Sequence, residues 1–180
     1  PNVVAQTTRE TLLLARWMAA DLYLRDLDLL TWRLSMNGAS AELTELAGTD
    51  HEPYRAVLKA LAERLRRTRD WLAQCLEDDS VPAPADAISD VEELLTPLRL
   101  CHDSLCENGM EVIARGELLD TLRRLRCFGL SLVRLDIRQE SVRHSAALGA
   151  ITRTLGIGDY ESWDESERQA FLLRELSSRR

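Results

Sequence analysis

Charged side chains line one side of the stretch from Ser131 to Ile137. Apolar residues dominate one set of alternating positions, and Leu132, Arg134, Asp136 and Arg138 form the other set. A period of two predicts a strand with an apolar back and a charged front. Arg138 lies at the carboxyl end of this strand, where functional groups of α/β barrels are found. Its guanidinium suits a phosphate or carboxylate, because the rigid fork donates two parallel hydrogen bonds and stays charged.

A structural explanation of the same residues stands beside the functional one. Arg138 could form an ion pair with Asp136 or Glu140, and the pattern favours a structural role for Arg134 and Asp136. Beyond the strand, Gln139, Glu140 and Arg143 fit a surface position as well as a ligand-binding one. The sequence contains no nucleophile triad, zinc-protease motif, phosphate loop or dinucleotide fingerprint, and its three histidines are far apart.

Composition restricts the class of protein. With 180 residues, 45% of them hydrophobic and 29% charged, the chain fits a globular class rather than a disordered one. The net charge of −7 argues against a nucleic-acid partner.

No signal peptide opens the chain and no apolar run reaches the roughly 18 residues of a membrane span, so we expect a cytoplasmic protein. The four cysteines lack zinc-site spacing, which predicts buried free thiols and no metal site.

Apolar residues in steps of three and four predict helices along most of the chain. We expect capping boxes at Ser89 with Glu92 and at Ser162 with Glu165, and a kink or a restart of the helix at Pro97. The apolar face of the first helix should include Leu12 and Tyr23. In the last helix Phe171, Leu172 and Leu176 should be buried. The predicted helices cover residues 7–35, 41–47, 53–76, 89–107, 117–127, 140–155 and 165–180. Asn108 with Gly109 should end the fourth of these helices, and Gly129 the fifth.

Two features concern the organisation of the chain. The acidic, proline-bearing stretch at 78–88 predicts an internal linker. The lone strand cannot satisfy its own backbone groups, so it must pair with strands outside this sequence or with another copy, or the stretch is not a strand in this chain. We therefore interpret residues 1–180 as a single internal fragment of a longer protein.

Longer motifs resemble a known family. The stretch FGLSLVRLDIRQESVRH, together with TLLLARWMAADLYLRDL, GELLDTLRRLRCFG and FLLRELSSRR, closely resembles the bacterial type of phosphoenolpyruvate carboxylase. The initial PNV is similar to the end of the family motif GGDRDGNPNVT. The resemblance implies a mainly α segment of a helix-rich (β/α)8-type barrel enzyme, to which this chain contributes about one barrel strand, Ser131 to Ile137.

The resemblance also implies an activity. Enzymes of this family are lyases that carboxylate phosphoenolpyruvate with bicarbonate to give oxaloacetate and phosphate, with Mg²⁺ or Mn²⁺, and they are typically homotetramers under effector control. Bicarbonate attacks the phosphate to give carboxyphosphate and the enolate of pyruvate, which then captures carbon dioxide. Arg138 corresponds to an arginine that contacts the substrate phosphate.

The resemblance implies further that the catalytic residues and metal-binding carboxylates lie outside this sequence. We therefore expect no catalytic residue and no metal ligand within the chain, no membrane or nucleic-acid partner, and no activity of the chain alone. The alternative is a helical scaffold or subunit-interaction segment without a site. The charged last helix, 165–180, would be a candidate for subunit contact.

Overall fold

The computed structural model describes residues 8–78, 80–132 and 140–177, and these residues are mainly helical, as predicted. They fall into two units, one within 8–132 and one within 140–177. The helices of the first unit are α1 (Arg9–Arg33), α2 (Ala41–Ala47), α3 (Pro53–Glu77), α4 (Glu92–Glu107), α5 (Glu111–Ile113), a π-helix (Ala114–Leu118) and α6 (Leu119–Phe128). Those of the second are α7 (Ser141–Thr154) and α8 (Glu165–Ser177).

The first unit is built on the pairing of α1 with α3, the two helices of 25 residues each. Thr8 caps α1 by a reciprocal pair of hydrogen bonds with Thr11. Burial along α1 begins at Ala19, whereas Leu12 is 46% exposed. The prediction of Leu12 as a core residue is therefore wrong, because the first turns of α1 contribute little to the core of this unit.

A buried serine joins three elements of the first unit. The hydroxyl of Ser104 in α4 accepts a hydrogen bond from the backbone N–H of Ser40, which caps α2, at 2.8 Å. The same hydroxyl shares a hydrogen bond of 2.8 Å with the hydroxyl of Tyr54 in α3. Burial raises the pKa of Tyr54 above its ordinary value. The contact fixes how α2, α3 and α4 meet, since each buried hydroxyl needs its partner.

The described residues between α3 and α4 contain no helix and lie against α3. Ile88 is buried, and its N–H donates to the hydroxyl of Thr68 at 2.9 Å. The indole N–H of Trp71 donates to the carbonyl of Val81 at 3.1 Å. Whether 78–88 is a domain boundary remains a prediction, and within the first unit α3 and α4 are in contact.

The start of α4 differs from the predicted capping box. The carboxylate of Glu93, not Glu92, accepts the backbone N–H groups of Ser89 and Asp90, both at 2.9 Å. It also pairs with Arg64. These hydrogen bonds, first those from the backbone, lower the pKa of Glu93 to about 2. Because α4 starts at Glu92, three residues after Ser89, the side chain of Glu93 lies beside the free backbone N–H groups of Ser89 and Asp90.

Two further features of the first unit qualify the sequence predictions. Pro97 lies inside α4, which continues to Glu107. Gly116 has non-helical backbone angles and kinks the chain within the π-helix that precedes α6.

Of the cysteines, Cys75 and Cys101 are buried free thiols, as predicted, but Cys127 is exposed. The prediction for Cys127 is wrong because it lies on the outer face near the end of α6.

The second unit has a small centre of aromatic rings. Tyr160, Trp163 and Phe171 pack with ring centroids 5.3–6.0 Å apart. The hydroxyl of the buried Thr152 accepts the N–H of Tyr160 at 3.1 Å, and the guanidinium of Arg168 lies over the Tyr160 ring. These contacts connect α8 to the turn that follows α7.

Two predictions for α8 are wrong. The capping box is formed by Asp164 and Glu167, whose side chains bond each other's backbone N–H at 2.8 and 3.0 Å, and not by Ser162 with Glu165. An aspartate directly before the helix is the better-placed cap. Leu172 and Leu176, predicted to be buried, are 37% and 84% exposed, because the aromatic centre occupies a different face of the helix.

We predict that Glu93→Gln lowers the free energy of unfolding of the chain by about 1 kcal/mol at pH 7, allowing for the partial exposure of the carboxylate. The folded-state pKa of about 2 lies below the ordinary 4.5, so the stability from this group is present above pH 4.5 and is lost as the pH falls toward 2. Urea denaturation at several pH values should therefore show the variant and the unmodified chain converging near pH 2. Glu63→Gln, at an exposed position of α3, is the control. A difference independent of pH would contradict the prediction.

Candidate functional site

Arg138, the predicted phosphate-binding residue, lies outside the described residues, as do Arg134, Asp136 and Gln139. The predicted strand lies mostly outside them as well. Its first two residues are described: Ser131 lies in a turn, and Leu132 has a φ of 64°. The strand prediction is wrong for these two residues, since a positive φ is incompatible with an extended strand. No strand occurs among the residues that the structure describes.

The residues directly before that stretch form a well-defined helix end. The N–H of Gly129 donates to the carbonyl of Leu125 at 2.9 Å and closes α6. Gly129 has φ 56° and ψ −148°, a combination that is open to glycine but not to residues with a Cβ atom. The sequence correctly predicted that this glycine ends the helix.

A tyrosine from α1 reaches this helix end. The hydroxyl of Tyr23 lies 2.9 Å from the carbonyl oxygen of Gly129 and 3.3 Å from that of Arg124. A hydroxyl carries one proton, so Gly129 is its main acceptor and Arg124 takes a weaker share. Burial, and then the charge of Asp26, raise the pKa of Tyr23 to about 12. The hydroxyl therefore remains a donor throughout the physiological pH range.

An ion pair lies beside the tyrosine. The guanidinium of Arg124 in α6 is 3.3 Å from the carboxylate of Asp26 in α1. Burial raises the pKa of Asp26 above its ordinary value, the charge of Arg124 opposes the rise, and the charge of Glu117 adds to it. The pair thus links α1 to α6 at a partly buried position, where each charge depends on the other.

These residues border a cavity of about 370 Å³. Its wall is mostly apolar, and its charged part is the ion pair together with Arg25. The described lining residues are Leu22, Tyr23, Arg25, Asp26, Arg124, Phe128 and Leu132. Leu22 and Phe128 are about half exposed, so the cavity is open to solvent. Among the described residues of its wall, no free acid and base lie together in a pair suited to proton transfer.

The residues that follow the predicted strand begin α7. The carbonyl of Glu140 accepts the N–H groups of Arg143 and His144, at 3.0 and 3.3 Å. The side chains of Glu140, Arg143 and His144 are exposed. This agrees with the surface position that the sequence left open for Glu140 and Arg143, and nothing in the geometry gives His144 a role as a base.

No metal site can be built from the described residues. Among residues 8–78, 80–132 and 140–177, no three His, Cys, Asp or Glu side chains lie close enough together to hold an ion. The absence of metal ligands from the whole chain stays a prediction. None of the described helices is both long and apolar enough to cross a bilayer.

Sequence reasoning missed two polar residues of α1 that contact α6, Tyr23 and Asp26. Tyr23 was predicted only as part of an apolar face, and Asp26 was not singled out. The available signal is the spacing: a tyrosine and an aspartate three residues apart, within a leucine-rich helix, lie on the same face and need polar partners there. The local pattern does not say which residues those partners are. For Tyr23 they lie 101 and 106 residues further along the chain.

Comparison with known proteins identifies the family. The family model for phosphoenolpyruvate carboxylase matches residues 1–180. The chain is 61% identical over 180 residues to a phosphoenolpyruvate carboxylase of Ectopseudomonas mendocina and 54% identical over 182 residues to one of Salmonella typhi. All of this chain is covered, but only 20% and 21% of those relatives. The chain belongs to the phosphoenolpyruvate carboxylase family and spans about a fifth of the length of these relatives.

We predict that Arg124→Gln destabilises the chain by about 1 kcal/mol at pH 7, because it leaves Asp26 partly buried without its counter-charge. The pKa of Asp26 in the folded state should rise further above the unfolded value. Since a raised carboxyl pKa costs stability as the pH rises, the loss should be smaller at pH 3, where Asp26 is protonated in both states. Urea denaturation at pH 7 and at pH 3 measures this loss of unfolding free energy.

The neighbouring Arg123→Gln is the matched control, because Arg123 is exposed and pairs with an exposed aspartate. An equal loss of stability in both variants would show that the Asp26 pair has no special role.

Proposed function

We propose that this chain is a segment of a phosphoenolpyruvate carboxylase, which carboxylates phosphoenolpyruvate with bicarbonate to give oxaloacetate and phosphate. The observation that supports it most strongly is the family match over the whole of residues 1–180, which includes the stretch around Arg138. We call the full-length carboxylase that contains this chain the parent enzyme.

Within the parent enzyme, the part of the stretch Ser131 to Ile137 that follows Leu132 supplies about one strand of a (β/α)8-type barrel. A barrel would give the stretch the partner strands that its backbone needs. The carboxyl end of a barrel strand faces the mouth where substrates bind, which is where Arg138 would lie.

Arg138 binds the phosphate of phosphoenolpyruvate. The phosphate carries most of the substrate's negative charge, and a guanidinium can hold two of its oxygens at once. Positive charge at this place also favours transfer of the phosphoryl group to bicarbonate, because negative charge accumulates on its oxygens. We assign no residue of this chain to proton transfer or covalent chemistry.

The parent enzyme uses Mg²⁺ or Mn²⁺, works in the cytoplasm and responds to allosteric effectors. We assign none of this chain's described residues to the ion, because no three of their His, Cys, Asp or Glu side chains lie close enough together to hold it. The parent enzyme is a homotetramer without a nucleic-acid or membrane partner, and light scattering of the full-length protein tests the subunit number. The exposed Leu173 and Leu176 of α8 support the second candidate, a segment that contributes to subunit contact.

We predict that Arg138→Ala in the parent enzyme raises the KM for phosphoenolpyruvate at least tenfold, because a charge-assisted hydrogen bond contributes about 1.5–3 kcal/mol. The KM for bicarbonate should change much less. Steady-state kinetics with oxaloacetate coupled to malate dehydrogenase measure both constants. Arg123→Ala, at an exposed position of α6, is the control. An unchanged KM for phosphoenolpyruvate would contradict the assignment of Arg138.

We also predict that the isolated chain does not convert phosphoenolpyruvate to oxaloacetate, because it holds one substrate-binding arginine and no catalytic group. The same coupled assay tests the purified chain against a buffer blank. Turnover above the blank would show that catalytic residues lie within these 180 residues.

A further inference from the structure

Helix α1 carries apolar side chains on two opposite faces. One face packs against α3 and forms the core of the first unit. The other face is exposed, and its apolar residues recur in steps of three, four and seven along the helix. We call these residues the outer stripe: Leu14, Met18, Leu22, Leu29 and Trp32. The first four are 40–47% exposed and the tryptophan is 80% exposed.

A helix with two apolar faces is unusual on the surface of a globular protein. A surface helix normally has a polar side, whereas a helix that is apolar all round lies in the interior of a large protein. From Leu14 to Trp32 the outer stripe is about 27 Å long at 1.5 Å per residue, which is enough for the side of a second helix. Arg25 interrupts the stripe, but it pairs with Asp21 of the same helix at 2.8 Å and needs no partner elsewhere.

The outer stripe ends in a groove within the first unit. Trp32 borders a cavity of about 500 Å³ together with Val112 and Ile113 of α5. These two side chains are also exposed, Val112 almost completely. The apolar surface of α1 therefore continues onto a second element, and the groove between them is large enough to admit side chains of a third.

The same groove contains an unused hydrogen-bond acceptor. Glu117 of the π-helix lines it, and one of its carboxylate oxygens pairs with Arg33 at 2.7 Å. The other oxygen, Oε2, is buried and has no hydrogen-bond partner among the residues that the structure describes. A buried acceptor without a partner is costly, so the groove favours an occupant that brings an N–H or O–H group as well as apolar side chains.

We propose that the outer stripe and the groove dock one apolar helix of the parent enzyme that lies outside residues 1–180, and that this helix donates a hydrogen bond to Glu117. The chain spans about a fifth of its relatives, so about four fifths of the parent enzyme is available for this contact. A segment of the same chain also has a much higher effective concentration than a separate molecule. The proposal rests on the chain being a segment of the parent enzyme, and it is independent of the role of Arg138.

The test places a photo-activated cross-linking residue, benzoylphenylalanine, at the position of Leu29 in the parent enzyme. Leu29 is exposed and lies one helical turn from Trp32. The matched control has the same residue at the position of Glu63, which is exposed on α3 outside the outer stripe. After irradiation, denaturing electrophoresis separates products with the mass of one subunit from those with the mass of two, and mass spectrometry identifies the joined peptides.

We expect the product from position 29 to have the mass of one subunit and to join α1 to a peptide outside residues 1–180, in severalfold higher yield than any product from position 63. A product with the mass of two subunits would show that a second copy covers the outer stripe. A cross-link that returns to residues 1–180 would show that this chain covers the stripe itself. Either result, or equal yields at the two positions, would overturn the proposal.

Oxidation by hydroxyl radicals tests the same surface without a substitution. Between the urea-unfolded and the native parent enzyme, we expect oxidation of Trp32 to slow about fivefold or more, because most of its 80% exposed surface would be covered. The buried Tyr54 is the reference for full protection. Equal oxidation of Trp32 in both states would overturn the proposal.

The carboxylation assay on the unmodified parent enzyme separates this proposal from the proposed function. An active enzyme in which Trp32 is oxidised freely would contradict the docking surface alone. An inactive enzyme with a cross-link from position 29 to a peptide outside residues 1–180 would contradict the proposed function and leave the docking surface in place.

Discussion

The packing of α1 against α3 is the constraint on which the rest of the first unit depends. Each buried leucine in this contact contributes about 1.5–3 kcal/mol, whereas a hydrogen bond contributes about 1 kcal/mol, so apolar packing dominates the stability. α3 then contacts α2 and α4, and α4 contacts α6. The distance from α1 to the end of α6 is thus set by a continuous series of packed helices, and Tyr23 can reach Gly129 only if that series is intact.

The polar contacts determine where the elements meet rather than how stable the unit is. Ser104 with Tyr54, Glu93 with two backbone N–H groups, and Tyr23 with Gly129 each join two elements at a defined point. Such contacts add little net stability, but an unsatisfied buried partner is costly, so they select one arrangement among several of similar packing. In this family member, the last of them lies directly before the stretch that holds the proposed phosphate-binding arginine.

The sequence predicted most of the helices, because the spacing of leucines along a helix depends only on residues close together in the sequence. It located α2 from Ala41 to Ala47 and the helix stops at Asn108 and Gly129. It failed where the outcome depends on register or on distant partners. Glu93 rather than Glu92 meets the free N–H groups, and Leu176 remains exposed although it continues an apolar stripe. The proposed role of Arg138 rests on its motif, whereas the contact of Tyr23 with Gly129 is visible only in the fold.

The proposed role of Arg138 requires that phosphoenolpyruvate binds where the chain continues beyond Gly129. Hydrogen–deuterium exchange of the parent enzyme, with and without phosphoenolpyruvate in bicarbonate-free buffer, is the decisive measurement. We expect slower amide exchange in the peptide from Gly129 to His144 when substrate is present, with little change in the peptide from Val57 to Leu72 of α3. Unchanged exchange in the first peptide, while other parts of the enzyme become protected at saturating substrate, would contradict this binding site.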